Sequence, residues 1–349
     1  IFTSGTTSQA KGVMLCHRNL AENVNAVSKY VKIYERDIFF SVLPLHHTYE
    51  SSIGALLPFA NGSSVAICGG LRYIVPDMQE AKPTAMLAVP LLVESLYKKI
   101  NQSIEKSGKA GLVNSMLHLT NALKSVGIDI KRKVFKEIYD NLGGNMRIIV
   151  SAAAPIDKKI GKWVQDIGIE FLQGYGLTET SPVIGVETNE NFRVGSIGKP
   201  LPHIQAKIED ANEEGMGELV VKGPNVMLGY YNDEEATKEV LEDGWFRTGD
   251  LAKIDEDGYI FICGRKKSVI VLKNGKNIFP EEMEALVNKI EGVKESFIFG
   301  KQQSDDKDDI KINVKIIFDR EIMQEAYKVT TDDEIYKVLA EKVKEVNQI

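Results

Sequence analysis

Three stretches of the sequence carry side chains suited to phosphate, metal and nucleotide chemistry. The first is Thr3-Ser4-Gly5-Thr6-Thr7-Ser8, followed by Lys11-Gly12. Hydroxyls and glycines at this density make a loop whose backbone N–H groups can turn inward as an anion-binding concavity. Lys11 adds a point charge. The spacing GxxxxGK[ST] is absent, so this is not a Walker-type loop. Taken alone, such a run also describes an ordinary flexible loop. The second stretch is Gly174-Tyr175-Gly176-Leu177-Thr178-Glu179. An aromatic ring bracketed by glycines can stack on a base. The Thr178 hydroxyl can meet a phosphate oxygen, and Glu179 offers the hard oxygen that Mg²⁺ prefers. The third pairs Thr248-Gly249-Asp250 with Gly264-Arg265-Lys266-Lys267. A carboxylate can accept two hydrogen bonds from the vicinal hydroxyls of a ribose, and a guanidinium can donate to that carboxylate or to a phosphate. A β-hairpin with a charged turn is the plain alternative.

Two shorter features accompany these. His46-His47 follows an apolar run and precedes Ser51, Ser52, Gly54 and Ala55, small residues that leave room beside the chain. Paired histidines at a strand end are otherwise a hydrogen-bonded core or helix-entry feature. Ser151-Ala152-Ala153-Ala154 follows another apolar run, and tiny side chains there let a flat ring approach the backbone.

The elements that must position these residues read as an α/β chain. Asp37–Leu45, Ser63–Cys68, Thr84–Val89 and Met146–Val150 are apolar strands alternating with helical segments, the pattern of a doubly wound parallel sheet. Helical spacing covers Arg18–Tyr34 and most of Leu91–Asn141, with a polar break at 102–111. Within the latter, Lys131-Arg132-Lys133-Lys136 reads as a solvated basic face. Peripheral contact with an anionic membrane surface, or with a coenzyme A phosphate, is the alternative. From Val194 to Lys222 the texture changes to short strands and Gly/Pro turns, expected to form a small β-barrel-like subdomain. Beyond Lys267, a helix through Ile290, strands at 296–299 and 310–318 and a closing helix over 331–346 give a small α+β lid.

The chain has 349 residues, enough for two or more domains, with 43% hydrophobic and 26% charged residues as in ordinary globular proteins. A net charge of −6 argues against a general nucleic-acid binder. The three cysteines are far apart and form no CxxC pair, so a zinc site or disulfide framework is not expected and a reducing cytoplasm is. The five histidines form no HExxH motif. No apolar run approaches the ~20 residues that span a bilayer.

The blocks TSGTTSQAKG, LPLHHTYE, GGNMRIIVSAAAP, GYGLTE and DGWFRTGDLAKIDEDGYIFICGRKK occur in the order found in the adenylate-forming superfamily of acyl-CoA synthetases, luciferases and peptide-synthetase adenylation domains. The chain resembles that superfamily throughout, and its long-chain fatty acid–CoA ligase branch most. The resemblance implies ATP-dependent activation of a fatty acid to an acyl-adenylate, then transfer to coenzyme A, with Mg²⁺ as the metal. A ligase for another carboxylic acid and a non-catalytic nucleotide-binding homologue are the alternatives. By the resemblance, Thr3, Ser4, Gly5, Thr6, Thr7 and Lys11 grip ATP phosphates. Ser151, Ala152, Ala153, Gly174, Tyr175 and Gly176 border adenine, Asp250 and Arg265 hold the ribose, and His47 borders the acyl substrate. Thr178, Glu179 and Lys11 are implied to be catalytic, with Glu179 holding the metal. Lys267 would be the hinge, near 264–268, between a large domain (1–263) and a lid (264–349). Ser8 and Ala10 stand where the family has Gly and Pro, and the tail shows no PxTxxGKxxR segment. The chain opens on a motif and closes inside a helical pattern, so both ends are expected to be cut and the fragment to adenylate weakly or not at all.

Overall fold

The computed structural model describes residues 1–3, 10–188, 192–273, 277–302 and 310–346. The chain divides into two compact units. The first holds Ile1–Glu209, Leu219–Thr248 and Ile254–Phe261; the second holds Asp210–Glu218, Gly249–Lys253 and Ile262–Ile349.

The first unit opens with β1 (Phe2–Thr3) paired antiparallel to β2 (Lys11–Met14), which sets Thr3 opposite Lys11. On its other edge β2 pairs with β11 (Gly229–Tyr230), Tyr230 opposite Val13. The centre is a six-stranded sheet built from β3 (Ile38–Ser41), β4 (Ser64–Ile67), β5 (Ala85–Ala88), β6 (Ile148–Ser151), β7 (Glu170–Gly176) and β8 (Val183–Val186). The order is β4-β3-β5-β6-β7-β8, parallel except that β8 returns antiparallel to β7. Side chains alternate between the two faces, and both faces are covered. Phe40, Met86, Ala88, Ile149 and Phe171 join a core with α3 (Ile74–Ala81), α4 (Pro90–Lys106), α5 (Ala110–Ser125), α7 (Lys136–Asn141) and α8 (Lys158–Asp166). Their neighbours Phe39, Ala85, Leu87, Ile148 and Leu172 pack with α1 (His17–Tyr30), a π-helix over Tyr49–Leu56 and α2 (Leu57–Ala60). The doubly wound sheet expected from the apolar runs is therefore present.

The β-barrel-like segment is an open sheet. It contains β9 (Gln205–Glu209), β10 (Gly217–Lys222), β12 (Leu241–Glu242), β13 (Trp245–Ile254) and β14 (Ile260–Arg265). The order is β12-β13-β10-β9 with β14 on β13, and no sheet of the described residues closes into a barrel. A short helix, α9 (Glu234–Val240), leads into it, its N-terminus capped by the Asp233 carboxylate on the Ala236 N–H.

In the second unit β15 (Ile270–Val271) pairs with β16 (Asn277–Ile278). There α10 (Pro280–Val287) starts on proline, and β17 (Val293–Gln302) pairs antiparallel with β18 (Ile310–Phe318). Two helices follow, α11 (Arg320–Tyr327) and α12 (Asp332–Val346), and Val293, Met323, Ile335 and Leu339 form one of its cores. The sequence reading passed over α11, whose start is fixed by the Asp319 carboxylate accepting from the Glu321 and Ile322 N–H groups. The stretch 303–309 between β17 and β18 lies outside the described residues. Among the described residues no helix is long and apolar enough to cross a membrane.

Lys131, read as part of a solvated face, opens α6 (Lys131–Val134) and is only 3% exposed. Its ammonium sits 2.5 Å from Asn121 Oδ1, and burial lowers its pKa. A long stem can lie along apolar surface, and here the head is carried inward too.

An ion pair around a buried carboxylate ties the N-terminal ends of three adjacent strands of the central sheet. Asp37 is 1% exposed. Its Oδ1 accepts from Thr84 Oγ1 and Arg147 Nε, each at 2.8 Å, and Oδ2 accepts from the Tyr34 N–H and from Arg147 Nη2. The loops entering β3, β5 and β6 are thus held by one carboxylate. Burial alone would raise its pKa, but the guanidinium and the other donors bring it below the usual carboxylate value. Its stabilisation is accordingly present above the ordinary carboxylate pKa and lost as pH falls through the lowered value. Asp37→Ala should cost about 3–5 kcal/mol in denaturant unfolding at neutral pH, because Arg147 is left facing a buried gap. A loss within the ~0.5 kcal/mol of a surface change would contradict this reading.

Candidate functional site

A cavity of about 440 Å³ lies in the first unit, against the face of the sheet that carries α1 and the π-helix. Val27, Val31 and Ile53 line it from the helices, and Ala85, Leu87 and Val150 from the strands. This volume falls within the range of small-molecule sites. The same cavity is lined by His47, Ala152, Ala153, Gly174, Tyr175 and Thr178, residues at or just past strand ends. In open α/β sheets that is where ligands bind.

The π-helix was not anticipated; its trace in the sequence is the run of small residues Ser51, Ser52, Gly54 and Ala55 that interrupts helical spacing. Its wider turn accommodates Glu50 at the cavity wall. Glu50 is 0% exposed, and neither carboxylate oxygen makes a hydrogen bond of ordinary geometry. A Cβ at position 54 would stand 2.7 Å from the Glu50 Cδ, so glycine is what lets the carboxyl lie there. Burial raises the Glu50 pKa to about 7, and the nearby Ser41 hydroxyl offsets only part of that shift. Next to it, the buried Tyr49 hydroxyl donates to the Val150 carbonyl at 3.0 Å, and burial raises its pKa.

The Gly174–Glu179 segment is held by a tightly bonded reversal from β7 into β8. The Leu177 N–H donates to the Pro182 carbonyl at 3.0 Å. Any Cβ at Gly176 would overlap that carbonyl, so this position takes only glycine. The Thr180 hydroxyl donates to Pro182 O at 2.6 Å, and Asn225 Nδ2 donates to Thr180 O at 2.9 Å. Asn23 Nδ2 donates to Val183 O at 2.7 Å. These bonds fix a 3-10 turn over Thr178–Thr180 that presents Thr178 and Glu179.

Lys11 and Glu179 meet through a residue the sequence reading missed. Tyr230 Oη donates to Glu179 Oε1 at 2.9 Å, and Lys11 Nζ lies 4.8 Å from the centre of the Tyr230 ring. The backbone pairing of β11 with β2 puts the tyrosine there. The sequence signal is Gly229-Tyr230-Tyr231 after the short apolar run Val226-Met227-Leu228, too common a pattern to single out. Thr3 faces Lys11 across the β1–β2 ladder. Ser4, Gly5, Thr6 and Thr7 lie outside the described residues. His47 lies beside His46 with ring centroids 4.5 Å apart and the ring planes tilted by 39°. Ser151 is 2% exposed with no partner for its hydroxyl, and unlike Ala152 and Ala153 it does not line the cavity. Among the described residues no three His, Cys, Asp or Glu gather into a metal cage.

In the second unit, Asp250 on β13 is 4% exposed, and Arg265 Nε lies 2.9 Å from its Oδ1. Lys266 Nζ lies 2.8 Å from Glu218 Oε2, and the Gly249 N–H donates to Glu218 Oε1 at 3.2 Å. Lys267 follows in an exposed turn. The acid and the guanidinium singled out in the sequence are thus brought together.

The raised Glu50 pKa sets a pH dependence of stability. Below pH 4.5 the carboxyl is protonated in both folded and unfolded chains, so it contributes no pH slope. Between 4.5 and about 7 only the unfolded chain ionises, and stability falls as pH rises. Glu50→Gln removes that term, so the variant should lose about 3 kcal/mol less than the parent between pH 4.5 and 8. Unfolding curves with the same pH slope for both proteins would refute it.

Comparison with known proteins agrees with this architecture. The model of the AMP-binding enzyme family matches residues 1–231. The peroxisomal long chain acyl-CoA synthetase 6 of Arabidopsis thaliana is 35% identical over 86% of this chain and 45% of its own length. A long-chain-fatty-acid–CoA ligase of Mycobacterium bovis is 33% identical over 81% of this chain and 49% of its own. The chain thus spans about half the length of these relatives. Among solved structures, an ATP-bound RpMatB–BxBclM chimera is 27% identical, covers 99% of this chain and 61% of that one, and superposes with a TM-score of 0.73. The chain belongs to the AMP-binding enzyme family.

Proposed function

We propose that this chain carries the substrate-binding core of an AMP-forming long-chain fatty acid–CoA ligase. The observation that carries the reading is the apolar cavity that shares one wall with Ala152, Ala153, Tyr175 and Thr178. A long apolar slot suits an acyl chain, and the strand-end residues suit a nucleotide. Kinship with proteins named for long-chain fatty acids supports the same substrate class.

In this reading the fatty acid carboxylate oxygen attacks the α-phosphorus of ATP. The Pα–O bond to the β-phosphate breaks, and pyrophosphate leaves with its electron pair. The coenzyme A thiolate then attacks the acyl carbon of the adenylate, and AMP departs. Neither half requires a protein nucleophile. The need is for alignment and charge neutralisation at the α-phosphate. Lys11 supplies a fixed cation, held over the Tyr230 ring. Thr178 supplies a hydroxyl beside the cavity. Glu179, oriented by the Tyr230 hydroxyl, is the carboxylate that would hold Mg²⁺. A metal carried largely by substrate phosphates and water needs only one or two protein carboxylates, so the donor set fits. Bound there, Mg²⁺ would supply positive charge to the phosphates.

The remaining assignments complete the proposal. Thr3, Ser4, Gly5, Thr6 and Thr7 grip phosphates. Ser151, Ala152, Ala153, Gly174, Tyr175 and Gly176 border adenine. Asp250 and Arg265 take the ribose, and His47 borders the carboxylate. Lys267 is the hinge of a lid running from about residue 264. The compartment proposed is a reducing cytoplasm, because Cys16, Cys68 and Cys263 stand far apart in the sequence with no CxxC pair.

The test is pyrophosphate release from MgATP by the polypeptide that carries this chain, across carboxylates from acetate to palmitate, with and without coenzyme A. Release that peaks at long chains, with acyl-CoA formed when the thiol is present, is expected. Binding of ATP without release for any acid would overturn the ligase reading and leave a nucleotide-binding homologue.

A further inference from the structure

The helices over the outer core of the first unit carry a surface that the nucleotide and acyl sites do not use. Along α5, Leu112, Met116, Leu119, Leu123 and Val126 recur at the i, i+4, i+7, i+11, i+14 spacing of one helical stripe. The stripe that α5 buries overlaps this one only at Met116: Val113, Met116 and Leu117 pack on the core, and Thr120 is buried. Leu112 is 57% exposed, Leu119 49% and Val126 71%, so the apolar arc of α5 is wider than its own core uses. Ile128 and Val134, just beyond the helix, extend it into solvent.

The charge around this arc is opposite to that of the molecule. Residues 98–141 hold nine Lys and Arg, of which Lys131 is buried, against four Asp and Glu, in a chain whose net charge is −6. Three of the cations are engaged locally: Lys109 with Glu137, Lys124 with Asp129 and Lys136 with Asp140. Each pair is solvent-facing and weakly bound, so it can re-form against another anion. Lys98, Lys99, Lys106 and Lys133 are exposed as well.

α5 itself carries one lysine, Lys124, and the other cations come from the segments before and after it; an exposed apolar arc with a cationic surplus in the adjoining segments suits a bilayer interface. Pairing with the same face of a second copy would set one cationic field against another, which is unfavourable. A nucleic acid would use the cations and leave the leucines in water. We propose that α5 and the basic segment around it dock this unit on an anionic lipid surface, the apolar arc entering the headgroup boundary and the lysines meeting lipid phosphates. The inference stands apart from the ligase reading, since it uses none of the same residues.

Sedimentation of the 349-residue chain with phosphatidylcholine vesicles, with or without phosphatidylserine, tests it. Binding is expected only to the phosphatidylserine vesicles and should weaken as salt is raised. A charge variant, K98E/K99E/K133E, and an apolar variant, L112S/L119S/V126S, should each lose at least about tenfold in binding. Circular dichroism of each variant should match that of the parent, and a variant that unfolds is replaced by L119S or K133E alone. Three outcomes would overturn the proposal: no vesicle binding, binding equal on both vesicle types, or binding to heparin that the apolar variant retains while vesicle binding is unchanged.

Discussion

A packed α/β layer tends to close any apolar gap, because every void forfeits dispersion contacts. The structure depends on resisting that closure at one place. On the face of the sheet that carries α1, small residues stand among the larger Phe39, Leu87, Ile148 and Val150 that line the gap: Ala85 on β5, Ala152 and Ala153 after β6, Gly174 and Gly176 on β7. Opposite them the chain forms a π-helix rather than an α-helix over Tyr49–Leu56, which leaves Glu50 against the cavity wall. The Tyr49 hydroxyl ties that helix to the Val150 carbonyl. Packing is complete on the opposite face of the sheet, where Phe40, Met78 and Met146 are all essentially inaccessible. The opening is therefore local and built.

The chemistry at the strand ends rests on the same economy. The β7–β8 reversal is fixed by Thr180, Asn225 and Asn23, none of which can touch a ligand from its buried position. Their role is to spend hydrogen bonds on the turn so that Thr178 and Glu179 are left presented. Tyr230 links this turn to Lys11, one side chain bonding an acid through its hydroxyl and a cation through its ring face. Residues more than two hundred positions apart in the chain thus share one electrostatic assembly, in which the cation and the carboxylate are spaced by an aromatic ring rather than paired with each other.

Much of this was legible in the sequence. Strands that will be buried on both faces are continuous apolar runs, so FF, AML and IIV marked the parallel sheet. Glycines and alanines at strand ends marked where something must approach the backbone. Asp250 and Arg265 were legible as a pair because turn chemistry places them. Other features were hidden for physical reasons. A π-helix differs from an α-helix by one residue per turn, and tertiary contacts decide between them, so Tyr49–Leu56 carried no distinct period. Tyr230 acts through a strand pairing with β2, which local sequence does not encode. Lys131 looked solvated because its neighbours are, yet Asn121 and the Gln165 carbonyl accept its ammonium inside the fold. The barrel-like texture of short strands and turns proved to be an open sheet, since closure depends on register and tilt rather than on composition.

The central claim is that the cavity in the first unit is where an acyl chain lies. The most direct measurement is the affinity of fluorescent fatty acids of graded length for the parent chain and for Ile33→Trp, a half-buried lining position where added bulk shortens the slot without entering the strands. The account predicts that the variant keeps its affinity for short acids and loses at least about tenfold for long ones, because the chain end no longer fits. An unchanged preference for long acids in the variant would contradict it, and would mean that the acyl chain binds elsewhere.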